Sequence, residues 1–108
     1  MFYVGENASD NFDVIDKGNP NDIWFHVKDF TSCHVLACIP EYLDKRELKT
    51  IVKHGALLCK QNTNKFANVK DVEIMYTQLQ NVSKTSKMGC VNVTCSKTIK
   101  CSFTLLFT

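Results

Sequence analysis

Ile23-Trp-Phe-His-Val27, the connection Lys28–Ser32, and then His34-Val-Leu-Ala-Cys-Ile39 form the stretch on which the fold turns. Both apolar runs are rich in aromatic and β-branched residues and are strand-length, and Pro40 closes the second. Two such runs across a short connection predict an antiparallel hairpin. Side chains alternate along a strand, so Trp24 and His26 share one face while Ile23, Phe25 and Val27 share the other. If paired residues have numbers summing to 60, His26 lies opposite His34, and any even sum places the two on the same face. The hairpin therefore groups Asp22, Trp24, His26 and His34 on one side of a sheet.

Upstream, Phe2-Tyr3-Val4 reads as a short strand. Asp10 is a candidate N-cap for a short helix running to Lys17, which Gly18 and Pro20 stop. Downstream, Asp44 followed by Glu47 has the spacing of a capping box. Residues 45–60 then carry the strongest helical period in the chain, with Leu48, Ile51, Val52, Gly55, Leu58 and Cys59 on one face. Gly55 on that face suits close packing. Lys45, Lys49 and Lys53 form a stripe off the apolar face, with Arg46 and Lys60 nearby. After a polar loop at Gln61–Asn68, Val72-Glu-Ile-Met-Tyr-Thr77 alternates like a strand of a sheet with one covered face. Asn81–Gly89 reads as a basic loop. Val91–Cys95 and Thr98–Leu105 read as strands around a Ser96-Lys97 turn. The expected architecture is α+β: a mostly antiparallel sheet, one long helix (about 44–60) and one short N-terminal helix (about 10–17), in a single domain over residues 1–108.

The 108 residues are 44% hydrophobic and 22% charged, the balance of a globular domain rather than a disordered or fibrous chain. No apolar run approaches the ~20 residues of a membrane span. The N-terminus has neither a basic n-region nor a long apolar segment, so no signal peptide, a cytoplasmic location and no membrane partner are expected. Six cysteines, none in a two-residue knuckle, predict reduced structural thiols and no bound metal. Only four glycines occur, and no glycine-rich phosphate loop or G-x-S-x-G elbow is present, so no cofactor is expected. The net charge of +2 conceals a split: residues 1–44 carry −6 and residues 45–108 carry +8. Such asymmetry suggests a basic surface open to a polyanion.

Three readings compete for Asp22, Trp24, His26 and His34. Two histidines and an aspartate are metal-ligand types, but a fuller ligand set is not evident. Two imidazoles titrating near pH ~6.5 could serve as acid and base on RNA. Or the histidines are hydrogen-bonded structural residues beside an aromatic side chain.

At Asp22-Ile-Trp-Phe-His-Val27 followed by His34-Val35, the sequence resembles the NFACT-R domain, the RNA-binding domain of NEMF-type ribosome quality-control proteins and of small stand-alone relatives. Gly5-Glu-Asn7, the helix at 45–60, Val72–Thr77, Val82-Ser-Lys84, Gly89 and Val91 extend the likeness over about residues 2–102. The resemblance implies a non-catalytic RNA-binding module acting on rRNA or tRNA, with the large ribosomal subunit as a further partner and DNA as an alternative polyanion. The residues expected to contact nucleic acid are Lys45, Lys49, Lys53, Lys60, Lys84 and Lys87. The alternatives are an RNA-processing or hydrolytic enzyme using His26 and His34, and an adaptor that docks on the translation machinery.

Overall fold

The computed structural model describes residues 1–101. Its elements in chain order are β1 (Phe2–Gly5), α1 (Ala8–Lys17), β2 (Ile23–Val27), β3 (His34–Ala37), α2 (Lys45–Gln61), β4 (Val72–Gln78), a 3-10 turn at Leu79–Asn81, β5 (Val82–Lys84), β6 (Val91–Val93) and β7 (Lys97–Cys101). Five strands form one antiparallel sheet in the order β1-β3-β2-β4-β7, and β5 and β6 form a separate two-stranded ribbon. The architecture is α+β.

The hairpin is in register 60: Ile23 pairs with Ala37, Trp24 with Leu36 and Phe25 with Val35. One face of the sheet carries Phe25, Val27, Val35 and Ile74, which pack against Val52, Ala56, Leu57 and Cys59 of α2. Gly55 lets the helix approach this closely, because a Cβ there would lie 2.3 Å from ring carbons of Phe25. The other face carries Trp24 and Leu36. It is covered by Val14 of α1, by Leu79 and by Val82, with Met75, Val91 and Val93 packed around them. The sheet is therefore covered on both faces, where one covered face was expected. Thr77 is accordingly buried although it alternates with the apolar side of β4.

Three expectations about elements need correction. α1 is capped by Asn7, whose Oδ1 accepts from the Asp10 amide at 2.9 Å, while Asp10 itself sits in the first turn. Asparagine caps as well as aspartate, and an acid one turn further in is still favoured by the helix dipole. The expected loop at Asn81–Gly89 contains β5, which pairs with β6, so β6 does not turn back onto β7. Instead β7 starts at Lys97, part of the expected turn, and pairs with β4. A strand of three residues inside a polar segment shows too little alternation to be recognised locally, and β5 is held by Val82, which joins the Trp24 layer. The strand expected over Thr98–Leu105 is described as far as Cys101, and its remainder lies outside the described residues. α2 does begin at the expected cap: Asp44 Oδ1 accepts from the Glu47 amide at 2.8 Å.

Candidate functional site

His26 and His34 meet where the β2–β3 ladder ends. Their ring centroids are 4.9 Å apart in a T-shaped arrangement, on the face opposite α2. Trp24 lies parallel to His26 at 5.5 Å and donates its indole Nε1–H to His34 Nδ1 at 3.2 Å. An imidazole nitrogen that accepts carries no proton, so neutral His34 is protonated on Nε2. His26 Nδ1 lies 2.6 Å from the Val27 carbonyl oxygen, which can only accept, so neutral His26 keeps its lone pair on Nε2. The His34 amide donates to Asn11 Oδ1 at 3.3 Å, tying β3 to α1.

Burial holds His26 below its ordinary pKa, against a smaller opposing effect of its bond to Val27. Burial, with repulsion from His26, holds His34 down at about 3. Both rings are therefore neutral at pH 7. An unfolded histidine takes its proton near 6.5, whereas folded His34 refuses it down to about 3. Stability that is complete above the unfolded value is thus lost as pH falls toward 3, because the unfolded state binds the extra proton. The expected slope is about 1.4 kcal/mol per pH unit for each such proton, or about 2 kcal/mol between pH 7.5 and 5 from His34 alone. Urea midpoints at those two pH values measure it, and a flat profile contradicts it.

Asp22 has a structural role. It is 2% exposed; Oδ2 accepts from the Asn19 amide at 2.8 Å and Oδ1 from the Ile39 amide at 2.9 Å. One carboxylate closes the turn before β2 and anchors the chain leaving β3. Asp22→Ala orphans both amides and is expected to cost about 1.5–3 kcal/mol, read by chemical denaturation.

A cleft of about 650 Å³ opens above the two imidazoles. The connection 28–32 supplies one wall, with Phe30 53% exposed at its edge, and the loop 85–90 supplies the other, with Met88 59% exposed. Thr85 Oγ1 donates to the Cys90 carbonyl at 2.8 Å and closes that second loop. Gly89 seats the loop on α1: its φ is +81°, and a Cβ there would lie 2.7 Å from Ala8 Cα. Lys87 stands on the same rim. The sequence reading found the histidines and Lys87 but missed Phe30, Met88 and Asn11. Only Gly89, a glycine at the end of a basic loop, signalled that the loop packs closely on something.

The six lysines expected to contact nucleic acid are divided. Lys45, Lys49 and Lys53 are exposed along α2. Lys84 and Lys87 lie on the other side of the sheet, where Lys84 Nζ is 2.6 Å from Asp16 Oδ1 and sits over the Phe12 ring. Lys60 must be withdrawn as a surface contact. It is 1% exposed, and its Nζ donates to the Ala67 carbonyl at 2.8 Å, because the chain after α2 folds back over the last helical turn. Trp24, 1% exposed, is likewise too enclosed to stack on a base.

Among the described residues, Cys33, Cys38, Cys59, Cys90 and Cys95 are free thiols, no cluster of three His, Cys, Asp or Glu side chains converges as a metal site, and no helix is long and apolar enough to cross a membrane.

The sequence profile of the NFACT protein RNA binding domain matches residues 1–94. The chain belongs to this family. It is 36% identical over 80% of its length to the coiled-coil domain-containing protein 25 homolog of Dictyostelium discoideum, and 32% identical over 80% to coiled-coil domain-containing protein 25 of Danio rerio and of Mus musculus. The chain spans 42% of the length of these relatives. Among solved structures, it superposes on the C-terminal part of the fibronectin/fibrinogen-binding protein from Streptococcus suis with a TM-score of 0.79 and 25% identity, covering 96% of this chain and 42% of that one. The D-x-W-F-H…H-V residues that suggested an NFACT-R domain thus build its central hairpin, its buried carboxylate and the floor of its cleft.

Proposed function

We propose that the chain is a non-catalytic RNA-binding module that holds phosphates on the solvent face of α2 and acts on rRNA or tRNA, in the cytoplasm, within ribosome-associated quality control. Membership of an RNA-binding domain family supports the substrate class. The observation that carries the location is a run of exposed bases, Lys45, Arg46, Lys49 and Lys53, with Glu47 as the one acid among them. None of the four makes an ion pair among the described residues. Lys45 to Lys53 spans about 12 Å of helix axis. Ammonium groups on such a face act as point charges on phosphates and give affinity without reading sequence. A His34 pKa of about 3 lies far from the neutral value that suits a general acid or base, which favours binding over catalysis.

Four contacts to single-stranded RNA predict that log affinity falls with log salt at a slope of about −2.8, roughly −0.7 per phosphate. The double variant Lys49→Ala, Lys53→Ala is expected to bind all sequences more weakly and to flatten the slope by roughly 1.4. Its stability should stay within about 0.5 kcal/mol of the parent, as for other exposed substitutions. Anisotropy titrations across a salt series make the measurement. A folded double variant with unchanged affinity and slope would falsify the assignment.

A further inference from the structure

We propose that the cleft above His26 and His34 takes one unpaired nucleobase of a bound RNA strand, an inference that rests on the RNA-binding reading above. The floor presents two unused polar edges side by side. His34 is 2% exposed and its Nδ1 is taken by Trp24, so the Nε2–H is its remaining donor, with no partner among the described residues. No fully buried side-chain nitrogen or oxygen lacks a partner among the described residues, so this Nε2–H reaches the solvent of the cleft. It belongs to a ring lining the cleft, and an acceptor placed there completes it. His26 supplies the complementary acceptor, because its own proton is held by the Val27 carbonyl. A donor beside an acceptor is the pattern that base edges offer, and splayed-out bases of single-stranded RNA are read by such hydrogen bonds together with stacking.

The walls suit the flat faces of a base. Met75, Val91 and Val93 line the interior, while Phe30 and Met88 stand exposed at the mouth. Charge favours the base over its phosphate: Glu6 and Asp29 line the cleft against Lys87, a formal balance of −1. An anionic phosphodiester is repelled from such a site, whereas an uncharged heterocycle is not. Lys87 on the rim remains available to the phosphodiester outside. The volume of about 650 Å³ falls within the range of small-ligand sites.

The test compares a labelled single-stranded RNA of about twelve nucleotides with a strand of equal length built of abasic sugar-phosphate, each titrated against the whole chain over a salt series. The abasic strand is expected to bind roughly tenfold or more weakly at equal salt, because base contacts are lost while the phosphate-dependent slope is kept. Met88→Asp, at an exposed rim position, should close most of that gap without disturbing the fold. Adenosine, cytidine, guanosine and uridine, which carry no phosphate, should include at least one that shifts the ring resonances of His26 and His34. Equal affinity for the two strands, with salt dependence retained, overturns the base site and leaves the RNA-binding reading intact. A gap of the same size in folded Met88→Asp also overturns it, since the base is then held elsewhere. Failure of both strands to bind at any salt removes both readings.

Discussion

Trp24→Ala is expected to lower the unfolding free energy by about 3–5 kcal/mol, the usual range for removing a large buried aromatic side chain. Trp24 is 1% exposed and centres the layer formed with Val14, Leu36, Leu79 and Val82, so its loss leaves a cavity that α1 and the β5–β6 ribbon cannot close without leaving the sheet. The indole also donates to His34 Nδ1. Trp24→Phe keeps much of the volume but strands that buried acceptor, which by itself costs about 1–3 kcal/mol. Since small domains are stable by only about 5–15 kcal/mol, the alanine variant should sit near the edge of folding. Trp24 is the single tryptophan, so far-UV circular dichroism, not intrinsic fluorescence, must follow the urea transition. An alanine variant within about 1 kcal/mol of the parent would show that the second layer contributes little to stability.

Gly55→Val is expected to destabilise by about 3 kcal/mol, the upper part of the range for overpacking a filled core. The contact is with Phe25, itself fully buried, whose ring carbons would lie 2.3 Å from any Cβ at position 55. Gly55→Ala makes the discriminating companion. Alanine gains about 1 kcal/mol over glycine in a helix interior. A neutral or stabilising alanine variant would therefore mean that α2 shifts freely over the sheet; loss of stability means that the spacing is held. Helix shift and clash separate further in Phe25→Leu, Gly55→Ala, where the smaller partner should recover part of the loss.

How much of this was legible in the sequence differs from element to element. β2 and β3 could be read because their residue types, their alternation and Pro40 agree. The two-residue period puts His26 and His34 on one face for any even register sum, and the strand pairing supplies that sum, 60. α2 was legible from its cap at Asp44 to its apolar stripe, because sixteen or so residues give a helical period time to declare itself. The side chains that frame the cleft were not legible: Phe30 and Met88 belong to irregular segments with no period, and they meet only because separate loops cross one sheet face.

The sequence by itself determined the α+β class, the central hairpin, the long basic helix and the family, since all of these rest on patterns between near neighbours or on a string of residues that stays together. Only the tertiary structure decided what lies on which side. It placed the lysines of α2 across the sheet from Lys84 and Lys87, paired Lys84 with Asp16, and buried Lys60 under the chain at Ala67. It also set a second apolar layer over the face that alternation alone marked as open. The physical reason is that a helical or strand period states which side of an element is apolar, whereas the partner that covers that side, or leaves a cleft beside it, is supplied by residues dozens of positions away.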